Sequence, residues 1–170
     1  MKSVLISIRP KWVELIASGK KTVEVRKTRP KLETPFKCYI YCTLAGSNEL
    51  WRETLNRDLA RWNREKWGFK KGNVIGEYIC DRIEIIECSS DAYRKYSDLS
   101  CLTQDDFISY CNGKDLYGWH ISDLKIYDKP KKLSEFRYYY PSVVFENGYP
   151  MPTHEIKRPP QNWCYVELVE

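Results

Sequence analysis

The sequence predicts an α+β fold in which helices are inserted between the strands of a small mixed β-barrel. Segments rich in β-branched and aromatic residues alternate with segments of helical periodicity. The run Val74–Glu87 is rich in strand-forming residues but too long for one flat strand, and Gly76 near its start suits a bulge. We therefore expect this run to bend as the wall of a barrel does. A chain of 170 residues fits one domain, which we expect to span residues 1–170.

The first half of the chain contains three predicted strands and two predicted helices. Pro10 suits the first turn of a helix, where its missing N–H is harmless, and Gly19 suits the left-handed residue that ends it. Apolar residues recur at helical spacing from Trp12 to Ile16 between these two positions. Tryptophans and leucines on one face predict a second helix over residues 49–64. The strands of this half are predicted at residues 2–8, 22–26 and 36–43.

The second half is predicted to contain three strands, a short helix and one long irregular segment. Thr103 and Asp106 form a capping-box-like start for a helix that continues through Tyr110 and is closed by Gly113. Residues 137–160 hold five prolines and three consecutive tyrosines without a period, which predicts an extended excursion over the surface. The strands of this half are predicted at residues 74–87, 119–127 and 162–168.

Composition and charge indicate which partners, compartment and metal ligands to expect for this protein. The net charge of +5 is a mild basic bias, compatible with nucleic acid but far short of a histone-like excess. No apolar run approaches the roughly 18 residues of a membrane span, and the N-terminus lacks a signal-peptide pattern, so a cytoplasmic protein with no membrane contact is expected. In that compartment the seven cysteines should be reduced and mostly buried. His120 and His154 lack ligand spacing, so we expect no metal and no cofactor.

The stretch Gly19–Arg26 joins the first predicted helix to the second predicted strand and concentrates charge of both signs. Alternation places Val23 and Val25 on one face of that strand and Glu24 and Arg26 on the other. Such a cluster costs desolvation energy if it is buried without partners, and it is useful where a polar ligand must be held. The pattern leaves two interpretations open: a ligand site, or an ordinary surface ion pair, which contributes about 0–1 kcal/mol.

Four positions of this stretch match a known signature. Gly19, Lys21, Glu24 and Arg26 fit the Gly-x-Lys-x-x-Glu-x-Arg pattern of the ASCH domain, a relative of the PUA RNA-binding barrel, and the chain resembles that family. Its bacterial and phage-borne branch is also similar in the later blocks Val74–Glu77, Tyr117–Ser122 and Arg158–Tyr165. The resemblance covers most of the chain except about 137–157 and 49–66. It implies a β-barrel with a cleft beside the first helix, motif residues that project into the cleft, and an RNA or nucleotide ligand.

The first functional hypothesis is a module that binds single-stranded RNA or a nucleotide. Cations of the motif and of the first helix start would hold phosphate, namely Lys20, Lys21, Arg26 and the helix start Arg9–Lys11. A base would stack on Trp119 or Trp163. The remaining predicted ligand contacts, in blocks that share the resemblance, are Glu77 and His120. A place in the core is the alternative for both tryptophans and for the histidine.

The second hypothesis is a hydrolase that acts on an amide or phosphodiester bond of a nucleoside. ASCH relatives include ribonuclease-like proteins and amidohydrolases that remove the acetyl group of acetylated cytidine, with a catalytic lysine and threonine in this loop and strand. Lys21 matches that lysine, and Glu24 stands where the threonine would be. Lys21 would act as nucleophile or electrostatic stabiliser, and Glu24 as general base or as the residue that orients Lys21. A third hypothesis is a protein-interaction domain in which the motif is a structural ion cluster.

Overall fold

The computed structural model describes residues 2–44, 72–139 and 155–168. Within these ranges it contains seven strands, three α-helices and one short 3-10 helix, which confirms the α+β class. The strands are β1 Ser3–Ile8, β2 Val23–Arg26, β3 Phe36–Cys42, β4 Val74–Ile86, β5 Leu116–Lys131, β6 Phe136–Tyr138 and β7 Trp163–Leu168. The helices are α1 Pro10–Ala17, α2 Ser90–Ser100, α3 Gln104–Cys111 and the 3-10 turn Leu133–Glu135. The predicted helix at 49–64 lies outside the described residues, as does most of the predicted excursion at 137–160.

The strands form one mixed sheet in the order β2-β5-β4-β3-β1-β7-β6. β1 pairs in parallel with β3, whereas the pairs β1–β7, β2–β5 and β6–β7 are antiparallel. The described order is linear, with β2 and β6 at its two ends, so the closed barrel expected from the sequence is not confirmed. None of the helices in the described ranges has the length and apolar character that a bilayer crossing requires.

The chain divides into two compact units, and the divisions fall within α1, β3, β4 and β5. The first unit takes its described residues from Met1–Pro10, Cys38–Glu77 and Ile126–Glu170. Here all six residues of β1 are buried, because β1 is flanked by β3 on one side and by β7 on the other. Its core contains Leu5, Tyr39, Tyr41, Val74, Phe136, Ile156 and Val166.

The second unit comprises Lys11–Lys37 and Tyr78–Lys125. Helices α2 and α3 are capped by side chains: Ser89 Oγ accepts from the Ala92 N–H at 3.2 Å, and Thr103 Oγ1 accepts from the Asp106 N–H at 3.1 Å. The second cap confirms the helix start predicted at Thr103, whereas the sequence analysis did not predict α2. The core of this unit contains Val23, Val25, Ile86, Tyr96, Phe107, Cys111 and Leu116.

Three details differ from the sequence-based expectations. Cys88 and Cys111 form a disulfide, so the expectation that all seven cysteines are reduced is wrong for this pair. The fold brings the residue before the α2 cap to the last residue of α3, with a Cα–Cα distance of 5.9 Å, and no local pattern encodes this approach. Strand β5 continues to Lys131, past its expected end at Tyr127. The described ends of the expected excursion are also ordered, since Arg137 bridges to Glu155.

Candidate functional site

The turn after α1 positions the first residue of the site. Gly19 has φ +76°, and its N–H donates to the carbonyl of Ile16 at 2.9 Å, which ends the helix as the sequence predicts. The N–H of Lys21 then donates to the carbonyl of Leu15 at 2.9 Å. These bonds hold the turn against the end of α1. Lys21 consequently lies before the strand, where the alternation of β2 does not dictate the direction of its side chain.

The Lys21 side chain is buried, with only 3% of its surface exposed. Its Nζ donates to the carbonyl of Val23 at 2.9 Å and to the carbonyl of Ser100 at 2.7 Å, and it lies 3.4 Å from Glu24 Oε2. An ammonium has three N–H donors, and these three oxygens match them in number. Lys21 is therefore a fixed cation that joins the turn, β2 and the end of α2.

Glu24 connects Lys21 to Arg26. Its second oxygen, Oε1, lies 2.9 Å from Arg26 Nε, and the side chains of Glu24 and Arg26 are 7% and 11% exposed. One carboxylate is thus shared by two cations, with one oxygen committed to each. We call Lys21, Glu24 and Arg26 the motif network. It is buried and paired, which distinguishes it from an exposed surface pair, and removal of one member takes an ionic partner from a buried charge.

A tryptophan of α1 lies at the Lys21 end of the motif network. Lys21 Nζ is 5.2 Å from the centroid of the Trp12 ring, and Lys11 Nζ is 5.0 Å from it. Both distances are in the range of cation–π contacts. Trp12 is half-buried, whereas Lys11 and the turn residue Lys20 are exposed. This end therefore combines an accessible aromatic ring, two exposed cations and one buried cation.

Two tyrosines lie at the Arg26 end. Tyr117 is directly opposite Arg26 in the β2–β5 pairing. Tyr110 lies on α3, close enough to the motif network for its charges to affect the pKa of the Tyr110 phenol. Burial raises this pKa, the Arg26 charge lowers it and the Glu24 charge raises it further. The next cations along the chain lie over these rings, Lys27 Nζ at 4.9 Å from the Tyr110 centroid and Arg29 Cζ at 5.6 Å from the Tyr117 centroid.

The loop after β2 borders a cavity. Its volume is about 460 Å³, and it is lined by Arg29, Pro30, Lys31, Leu32 and Glu33. This volume is within the range of small-molecule sites. Arg29 therefore lies over the Tyr117 ring and also lines this cavity.

The register of the β2–β5 pair places His120 on the face opposite to that of Glu24. His120 is opposite Val23, and Trp119 is opposite Glu24, so the histidine and the carboxylate point to opposite faces of the strand pair. His120 Nδ1 lies 3.1 Å from Arg82 Nη2, and its Nε2 lies 3.2 Å from Glu84 Oε2. A guanidinium only donates, so Nδ1 is the acceptor and Nε2 carries the proton donated to Glu84. Both ring nitrogens are thus engaged away from the motif.

The other predicted ligand residues are a buried tryptophan opposite Glu24 and three residues of the first unit. Trp119 is 0% exposed and packs edge-on against Phe36 at 6.0 Å, so it presents no surface for a base. In the first unit, Arg9 is exposed. In the same unit, Glu77 Oε2 accepts a hydrogen bond from the hydroxyl of Tyr127 at 2.5 Å. Half-buried Trp163 packs edge-on against Tyr165 at 5.4 Å, also in the first unit.

Comparison with known proteins identifies the family. A sequence model of the ASCH domain matches residues 6–135. The chain belongs to the ASCH domain family. No curated protein sequence matches it.

Solved structures of ASCH proteins share the fold. The ASCH protein of Zymomonas mobilis is 18% identical with a TM-score of 0.60, and the match covers 97% of this chain and 87% of that one. A tyrosine-to-phenylalanine variant of the Zymomonas protein gives 18% identity and a TM-score of 0.61, over 98% of this chain and 91% of that one. At this identity the likeness concerns the fold alone.

Sequence reasoning missed several parts of this ASCH domain's site. Helical periodicity places Trp12 only in the apolar stripe of α1, although its position beside Lys11 is a signal in the sequence. Tyr117 could have been found by pairing β5 with β2. The carbonyl of Ser100, 79 residues from Lys21, has no signal in the sequence. Tyr110 lies on a helix whose approach to Arg26 only the tertiary structure shows.

Proposed function

We propose that this ASCH domain binds single-stranded RNA or a nucleotide at the Lys21 end of the motif network. The observation that carries the proposal is the half-buried Trp12 ring with the Lys21 ammonium 5.2 Å from its centroid and exposed Lys11 beside it. A base would stack on Trp12, and the phosphate would be held by Lys11 and Lys20. This combination of stacking and cations is the usual mode of single-strand recognition and tolerates any base.

The motif network would act by position and charge. Lys21 is too buried to reach far into solvent, but two cations and one carboxylate give the network a net charge of +1 just below the ring. That fixed charge raises the affinity for phosphate without the entropic cost of ordering a flexible side chain. Arg26, 11% exposed, lies at the other end of the network and would contribute through this charge.

The proposal is tested by binding of a short labelled RNA to three tryptophan variants. Trp12→Leu should weaken binding by roughly 5- to 150-fold, which corresponds to about 1–3 kcal/mol of stacking, and Trp12→Phe should retain most of the affinity. Trp163→Leu tests the other half-buried tryptophan of the described residues, which the sequence also offers as a stacking surface, and should retain the affinity if the base stacks on Trp12. Equal affinities for Trp12→Leu and the wild type, or an affinity that does not fall with salt, would contradict the proposal.

A second candidate function is hydrolysis of a nucleoside amide or of RNA by Lys21 and Glu24. The observation that favours it is their buried contact at 3.4 Å, because electrostatic stabilisation is stronger where water is excluded. Because the Lys21 donors are matched by three oxygens, the lysine would stabilise developing negative charge rather than attack as a free amine. Glu24 would orient it. Incubation with N4-acetylcytidine and with RNA, followed by chromatography, tests this candidate, and absence of products at high protein concentration refutes it for those substrates.

A further inference from the structure

The Arg26 end of the motif network carries a second set of paired cations and rings. We propose that Lys27, Arg29, Tyr110 and Tyr117, which we call the cation–tyrosine belt, form a second nucleotide subsite, so that the ligand of this domain is an oligonucleotide strand rather than a free nucleotide. The inference rests on the proposed function, because it extends the same strand of RNA beyond Trp12. The inference states that the ligand is longer than one nucleotide, which the motif alone does not indicate.

The belt has the composition that single-strand binding requires. Lys27 and Arg29 are exposed, while the two tyrosines are half-buried and therefore held in place by the protein. Arg29 lies 5.6 Å from the Tyr117 ring centroid and Lys27 lies 4.9 Å from that of Tyr110. A guanidinium held on a ring presents its outer face as a plane on which a base can stack, and an ammonium held on a ring is ready for a phosphate.

The belt is continuous with the motif network, and it borders free volume. Tyr117 is opposite Arg26 in the strand pairing, and Arg29 lines the cavity of about 460 Å³ formed with Pro30 and Leu32. The four residues of β2 span roughly 13 Å between the Lys21 turn and the belt. One base is smaller than this separation, so a ligand that contacts Trp12 and the belt together must contain more than one nucleotide.

The experiment measures affinity against ligand length. Uridine monophosphate and oligouridylates of two, four and six nucleotides are titrated into the wild-type chain and into belt variants. For the double variant Lys27→Gln/Arg29→Gln we expect an unchanged affinity for the monophosphate and about a 10-fold loss for the hexamer. The slope of log affinity against log salt should fall by roughly 0.7 for the hexamer, since the phosphate contact of Lys27 is removed.

Matched variants separate the belt from general charge and from folding. Lys125→Gln/Lys129→Gln removes two other exposed lysines and the same charge, and should leave hexamer affinity unchanged. Tyr117→Phe keeps the ring and should bind as the wild type does, whereas Tyr117→Leu should lose roughly 5- to 10-fold for the hexamer. Thermal unfolding of each variant, monitored by circular dichroism, verifies that it is folded.

The outcomes distinguish this inference from the proposed function. If the wild type binds the monophosphate and the hexamer, and the belt variant binds the hexamer as tightly as the wild type does, the belt is refuted while the Trp12 subsite stands. If wild-type affinity does not rise between the monophosphate and the hexamer, the belt is also refuted. If the wild type binds neither ligand, the proposed function fails, and the inference fails with it.

Discussion

The buried position of Lys21 makes its replacement a direct test of the motif network. Lys21→Met keeps an unbranched side chain but removes the ammonium from three oxygens, those of Val23, Ser100 and Glu24. The Glu24 carboxylate, 7% exposed, would keep only Arg26 as an ionic partner within the network. Breaking a buried ion pair by removing one partner costs about 3–5 kcal/mol. For a chain of 170 residues this corresponds to a melting temperature lower by roughly 6–20 °C.

The assay is urea and thermal unfolding at neutral pH, with Lys20→Met as the control. Lys20 is exposed and adjacent, so its replacement should change the free energy of unfolding by less than about 0.5 kcal/mol. The double variant Lys21→Met/Glu24→Met should be no more stable than Lys21→Met alone, because it also takes from Arg26 the carboxylate that lies 2.9 Å from its Nε. A loss below about 1 kcal/mol for Lys21→Met would refute the assignment of the motif network as a buried, mutually dependent unit.

Two further predictions concern the second unit. Glu84 accepts a hydrogen bond from the Tyr96 hydroxyl, and this bond is the largest cause of the lowered pKa of the Glu84 carboxyl. The ionised carboxylate therefore stabilises the fold at pH values above its ordinary pKa of 4.5, and this stabilisation is lost as the pH falls through the lowered pKa. The melting-temperature difference between the wild type and Glu84→Gln should therefore shrink as the pH falls from about 6 to about 3, and a constant difference would contradict the linkage. Gly118→Ala should destabilise the protein by about 1–3 kcal/mol in urea unfolding, because an added Cβ would lie 2.9 Å from Ile86 Cδ1 and 3.0 Å from Val23 Cγ1. An unchanged urea midpoint would show that these two side chains shift to accommodate the methyl group without cost.

The local parts of the site were predictable from the sequence because they depend on short-range geometry. Gly19 adopts the positive φ that ends α1. In β2 the valines Val23 and Val25 enter the core, while Glu24 and Arg26 point to the other face, as alternation predicts. The capped start of α3 at Thr103 was predictable for the same reason.

The remaining parts depend on contacts between distant segments. The carbonyl of Ser100 reaches Lys21 only because the end of α2 packs beside the turn. Every residue has a backbone carbonyl, so the amino-acid sequence does not show which one accepts this bond. Sequence proximity likewise does not show the surroundings of Trp119 and His120. They are neighbours in a block that resembles the family, yet successive residues of a strand face opposite sides, so Trp119 packs against Phe36 and His120 engages Arg82 and Glu84.

The geometry of the motif network explains the spacing of the signature. Lys21 must precede the strand so that its side chain is not fixed by the pleat, and Glu24 and Arg26 must be two residues apart so that they share a face. Each carboxylate oxygen then serves one cation. The signature therefore specifies a rigid charged turn. The surfaces at its two ends come from residues outside the signature, Trp12 at one end and Tyr117 at the other. The chemistry of the ligand is consequently set by these neighbours, and the same turn can support different ligands in different members of the family.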